Sequence, residues 1–139
     1  MLVGVADDVD AGAALFAFEE VRRRGGEVRA LHVSAVPEQA SGLRLSPTER
    51  KTLADSEAAV PRMTVAAARE KFPDVGVGVR VDTLWTGGAG ALVEASRAAD
   101  LAVITARHRH GLGLGPHTGS FTHALLHRAH CPVVFVPVG

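Results

Sequence analysis

The sequence predicts an α/β fold, a parallel sheet of five strands with helices on both faces, as a single domain over residues 1–139. Two observations carry this. Short β-branched runs alternate with helical patterns along the chain, and parallel neighbours need a crossover segment of the kind those helices supply. The first run, "LVGVA" (Leu2 to Ala6), is apolar throughout, as a strand covered on both faces would be.

The elements follow in order. After the first strand, Ala14, Ala17, Phe18 and Val21 fall at i, i+3, i+4, i+7, and "RRRGG" puts cations in a last turn and glycine after it. That predicts an amphipathic helix. "EVRALHVSAV" is the second strand, and "PEQASGLRLSP" reads as a mobile loop. In "SPTE", Ser46 caps a helix, Pro47 occupies its first turn and Glu49 completes a capping box. Pro61 is expected to break or kink this helix, whose pattern resumes to about Phe72. "VGVGVRVDTLW" alternates as a third strand, "GALVEASRAA" is helical, and "DLAVIT" is a fourth strand. "GSFTHALLHRA" is a last helix and "PVVFVPV" a fifth strand.

Composition narrows the function. Fifteen Lys and Arg balance fifteen Asp and Glu, so no general attraction to nucleic acid or an anionic membrane is expected. A single cysteine, Cys131, excludes an internal disulfide and a cysteine-rich zinc site. No basic leader or membrane-length apolar run appears, and the chain reads as soluble and cytoplasmic.

Open parallel sheets bind ligands beyond the carboxyl ends of their strands, where strand order reverses. The loops after Ala6, Ser34 and Thr105 are therefore the ones to examine; strand order itself is not readable from the pattern. The third loop is the most informative. It carries Gly111, Gly113, Gly115 and Gly119, with Ser120 as a cap for the helix that follows. Glycines let backbone N–H groups turn toward a ligand, and the first N–H groups of a helix lack partners within it, so the junction suits a phosphate. A flexible loop with a glycine-assisted helix start explains the same residues. No Gly-Lys-Ser/Thr follows, so this is no Walker loop, and "GLGLGPHTG" is no dinucleotide fingerprint.

The segments "LVGVADD", "LHV", "ALVEASRAADLAVITAR" and "GSFTHALLHRAHCPVVFVPV" resemble, in order and spacing, those of a universal stress protein domain, and the resemblance covers nearly the whole chain. It implies an adenine nucleotide alpha hydrolase-like sheet in the order 3-2-1-4-5 and frequent dimers. In one branch of the family it also implies an ATP-binding loop written G-x-x-G, nine residues, G-S/T.

Aligned on Gly119 and Ser120, that motif places its two earlier glycines at Ala106 and Arg109, both substituted. What remains is Gly119 and Ser120, with Phe121 and Thr122 behind them, where relatives contact phosphates. The acid that follows the first strand and holds the nucleoside falls at Ala6, after Val5 and one place before Asp7; Asp7 or Asp8 can substitute by a local shift, or serve as helix-capping acids. Val33 matches a position near the adenine. Thr105 ends the fourth strand, and Arg107 and Arg109 either pair with phosphate oxygens, close the pocket, or point to water.

Histidine supplies a rival. His123, His127 and His130 fall at i, i+4, i+7 on one helical face, but no acidic ligand accompanies them, and the reading is that they hold no metal. His108, His110 and His117 flank the phosphate loop, either contacting ligand when protonated or, on the plainer reading, standing in solvent, and Cys131 reads as a small buried apolar residue. Asp7, Asp8 and Asp10 can bring Mg²⁺ with a triphosphate. No triad or paired carboxylates mark a catalytic centre, so turnover is absent or at most slow ATP hydrolysis.

The expected function is a stress-response domain that senses or retains ATP or a related adenine nucleotide. The alternative is a dimeric interaction module whose pocket has lost the nucleotide. In either case the chargeless fifth strand, set by the resemblance at a sheet edge, predicts a homodimer.

Overall fold

The computed structural model describes residues 1–6, 8–34, 46–83, 88–106 and 120–138. Its strands are β1 (Leu2–Gly4), β2 (Glu27–Ser34), β3 (Gly76–Thr83), β4 (Ala102–Ala106) and β5 (Val133–Pro137). Helices α1 (Ala11–Arg24), α2 (Pro47–Lys71), α3 (Gly88–Ala95) and α4 (Ser120–Arg128) connect them, with single 3-10 turns at Asp8–Asp10 and Ser96–Ala98. All four strand pairings are parallel, in the order β3-β2-β1-β4-β5. The chain therefore winds outward from β1, first toward β3 and then toward β5.

Alternation along the strands sorts side chains to two faces. Val3, Val5, Val28, Ala30 and Val103 pack with Ala14, Phe18, Val21, Val65 and Phe72 of α1, α2 and the residue closing α2. Leu2, Leu31, Ala102 and Ile104 pack on the other face with Leu92 of α3 and Leu125 of α4. At β3 only one side is covered: Val77, Val79 and Val81 are half-buried, while Gly76, Gly78 and Arg80 are exposed. Gly4 lets α3 close on the sheet, since a Cβ there would come within 3.3 Å of both Ile104 Cγ2 and Leu92 Cδ2.

Local signals account for the helix ends. α1 stops where Gly25 and Gly26 take φ of +83° and +99°, and Gly25 N–H donates to Val21 O at 2.7 Å. α2 starts in the expected capping box, with Ser46 Oγ accepting from Glu49 N at 3.1 Å and Glu49 Oε1 accepting from Ser46 N at 3.3 Å. Pro61 does not break α2, which runs through it. The proline ring is fully buried, and Val65, Ala68 and Phe72 beyond it pack into the core. Burial of that face offsets a cost of about 3 kcal/mol for an interior proline.

At β1 a boundary differs from expectation. β1 ends at Gly4 rather than Ala6, because the chain turns into the 3-10 segment where Ala6 N–H donates to Asp10. β2 is described to Ser34 and β3 to Thr83, and the expected continuations to Val36 and Trp85 lie outside the described residues. The loop expected over 37–47 lies largely outside the described residues.

Candidate functional site

β1 sits between β2 and β4, and the connections leaving β1 and β4 run to opposite faces of the sheet. The crevice beyond their carboxyl ends is the switch point at which such sheets take ligands. The end of β1 is fixed from both sides. Val5 N–H donates to Leu31 O at 2.9 Å, and Ala6 N–H donates to Asp10 Oδ2 at 2.6 Å. Asp10 is 3% exposed, so its carboxylate holds the β1–α1 turn.

The sequence candidates divide accordingly. Val5 is buried, its side chain packed into the α1 and α2 core, and it meets the crevice with its backbone alone. Ala6 is exposed. Thr105 is buried at 8% exposure, and its Oγ1 has no hydrogen-bond partner among the described residues. Ala106 is half-buried and in register with Pro137 of β5. Val33 lies in β2 in register with Asp82. Ser120, Phe121 and Thr122 open α4, so Ser120 is its first helical residue rather than its cap. Asp7, Arg107, Arg109 and Gly119 lie outside the described residues, as do His108, His110 and His117.

The histidine face of α4 is exposed, and the His123 and His127 rings lie 4.5 Å apart. His130 engages through its backbone, its N–H donating to Ser96 Oγ at 3.0 Å. Among the described residues no three His, Cys, Asp or Glu side chains are grouped to hold a metal ion. Cys131 is half-buried against the α3 and α4 face, and burial pushes its thiol pKa up, which leaves it a weak nucleophile.

Sequence reading passed over His32. It is 6% exposed, and its ring bridges Val5 O at 2.8 Å and Glu57 Oε2 at 2.9 Å. The available signal was a histidine in an otherwise apolar strand segment; its neighbour Val33 drew the attention instead. Asp10 was weighed only as a possible magnesium ligand, whereas its Oδ2 serves the Ala6 N–H.

A parallel sheet in the order β3-β2-β1-β4-β5, covered on both faces and with its crevice between β1 and β4, defines a doubly wound α/β domain. The universal stress protein family model matches residues 1–137, and the chain belongs to that family. A universal stress protein of Mycobacterium tuberculosis is 29% identical over 137 residues, covering 96% of this chain and 42% of its own length. The chain thus spans about two fifths of that relative. Among solved structures, a universal stress protein from Archaeoglobus fulgidus in complex with dAMP superposes with a TM-score of 0.66 at 19% identity, covering 97% of this chain and 94% of its own. A family protein of Arabidopsis thaliana with AMP bound gives 0.60 at 16% identity, covering 100% and 92%. At these identities the structures establish the fold. Among the described residues, no helix is long and apolar enough to cross a membrane.

Proposed function

We propose that this domain binds an adenine nucleotide beyond the carboxyl ends of β1, β2 and β4 and acts as a sensor or regulator in a stress response. The observation that carries the reading is the junction of β4 and α4. The chain keeps the Gly119-Ser120 ending of the family's phosphate loop, and α4 begins at Ser120, where the first N–H groups of a helix favour an anion. The dAMP and AMP bound in the two superposed structures support the same ligand class. In this reading the backbone of Val5 and Ala6, with Asp7 and Val33, surrounds the nucleoside. Thr105, Ala106, Arg107 and Arg109 lie along the approach to the phosphates, and Gly119, Ser120, Phe121 and Thr122 hold them. ATP brings Mg²⁺ with it through the loop acids.

Ala106 and Arg109, where the motif has glycine, favour a second reading, an interaction module without nucleotide. Titration calorimetry with AMP and with ATP and Mg²⁺ separates the two. Binding is expected, and Ser120→Ala should weaken it by about 1.5–3 kcal/mol, one hydrogen bond to a charged group. Arg109→Gly should weaken binding and flatten its salt dependence if the guanidinium clamps phosphate, and strengthen it if the side chain plugs the pocket. No heat and no thermal shift at millimolar nucleotide would leave the interaction module standing.

A further inference from the structure

One buried ring joins three parts of the chain that are distant in sequence. His32 Nδ1 lies 2.8 Å from the carbonyl oxygen of Val5, and Nε2 lies 2.9 Å from Glu57 Oε2. The His32 side chain is 8% exposed and that of Glu57 23%, so water competes little for the inner bond. A carbonyl oxygen only accepts, so Nδ1 carries a hydrogen and donates to Val5. Nε2 and the Glu57 carboxyl group then share one further proton, because a bare nitrogen lone pair facing a carboxylate at 2.9 Å would repel it.

Both polar groups of Val5 are thereby engaged by neighbouring residues of β2: its N–H donates to Leu31 O, and its carbonyl accepts from His32 Nδ1–H. Glu57 supplies the other end of the strut, from the turn of α2 that precedes Pro61. Proline has no N–H, so the Glu57 backbone carbonyl loses its i+4 donor. The helix is gripped through the Glu57 side chain at the turn where its own ladder is interrupted.

We propose that His32 is a positioning residue for the nucleotide site: braced by Glu57, it sets the Val5 carbonyl and the β1–α1 turn against which the nucleoside lies. The role rests on the nucleotide reading above. It also makes α2 an input to the site, since a shift of α2 that moves Glu57 moves the turn, and ligand binding must act back on α2 by the same coupling.

Two amide replacements separate the links. His32→Asn puts an N–H₂ near the place of Nδ1 and keeps the bond to Val5, whereas His32→Gln reaches toward Glu57 and gives up Val5. Titration with AMP should show affinity reduced roughly tenfold in His32→Gln, the loss of about one hydrogen bond, and restored to within about threefold of the parent in His32→Asn. Equal losses in both variants, or no loss in His32→Gln, would overturn the positioning role. Nitrogen-15 NMR of the unmodified protein tests the geometry without ligand or mutation: Nδ1 should be protonated, and a ring with Nδ1 bare would overturn the strut even if a variant fails to fold. AMP binding by the unmodified protein with no effect of His32→Gln removes this inference alone. No AMP binding at all removes the nucleotide reading, and the role with it, while the spectrum still decides the hydrogen bonds.

Discussion

Ser96 has no exposed surface, and its hydroxyl serves two segments at once. It donates to Val93 O at 2.5 Å and accepts from His130 N at 3.0 Å, tying the end of α3 to the α4–β5 connection. Ser96→Ala leaves the partly buried His130 N–H without its partner and should cost about 1–3 kcal/mol in urea unfolding. A second residue sets a pH dependence. The Met1 ammonium lies 3.2 Å from Asp100 Oδ1 and, chiefly through that hydrogen bond, holds the Asp100 pKa below the ordinary carboxylate value. A lowered folded pKa means stability that is complete above the unfolded value, about 3.9, and is lost as pH falls through the folded one. Asp100→Asn should therefore lower stability slightly at neutral pH, leave it unchanged in acid where Asp100 is already protonated, and so flatten the acid limb of a stability–pH profile below about pH 4; the site is exposed and the effect small. Neither contact was legible beforehand. Ser96 and His130 meet across 34 positions, and local pattern carries no record of such pairings.

Elements were the most legible level, because periodicity and caps are local physics. The i, i+3, i+4, i+7 set of α1 became its buried face, and "RRRGG" its end. The capping box at Ser46 formed as read, and Ser46→Ala should cost about 1 kcal/mol, seen as a lower thermal midpoint with an unchanged fold. Pro61 does not break α2, and the reason is physical. The rule prices a proline by its lost hydrogen bond, whereas α2 is held by burial of Pro61 itself and of Val65, Ala68 and Phe72 beyond it, and Thr64 Oγ1 adds a bond to Val60 O at 2.9 Å. The candidate site was legible as far as it rests on chain position, at the ends of β1 and β4. His32 and Glu57 were not, since their bond spans 25 positions and joins a strand to a helix packed on it.

At the scale of the molecule the sheet has two unlike edges. β3 carries Arg80 and Asp82, while Val133–Pro137 of β5 carries no charge and Val133 to Val136 are only half-buried. Charge is a usual guard of an open edge, and β5 lacks it. We infer an antiparallel two-fold dimer through β5, with Pro137 limiting pairing at the end. Light scattering at tens of micromolar should give a dimer, and Val134→Lys with Val136→Lys should give a folded monomer; a monomeric parent would reject the interface. The strand order also has a consequence for how the chain is assembled. β1 lies at the centre of the sheet, yet Leu2 meets Ala102 across most of the sequence, whereas β1, β2 and β3 are neighbours both in the chain and in space. Non-local pairing must meet its loop-closure entropy before contacts repay it, so the β1–β2–β3 half is the part able to form early. Until β4 docks, one side of β1 is an unpaired edge at the future centre of the protein, the place most exposed to pairing with another nascent chain. The crevice between the carboxyl ends of β1 and β4 is completed only when that gap closes, so the nucleotide site proposed there would be the last part to form.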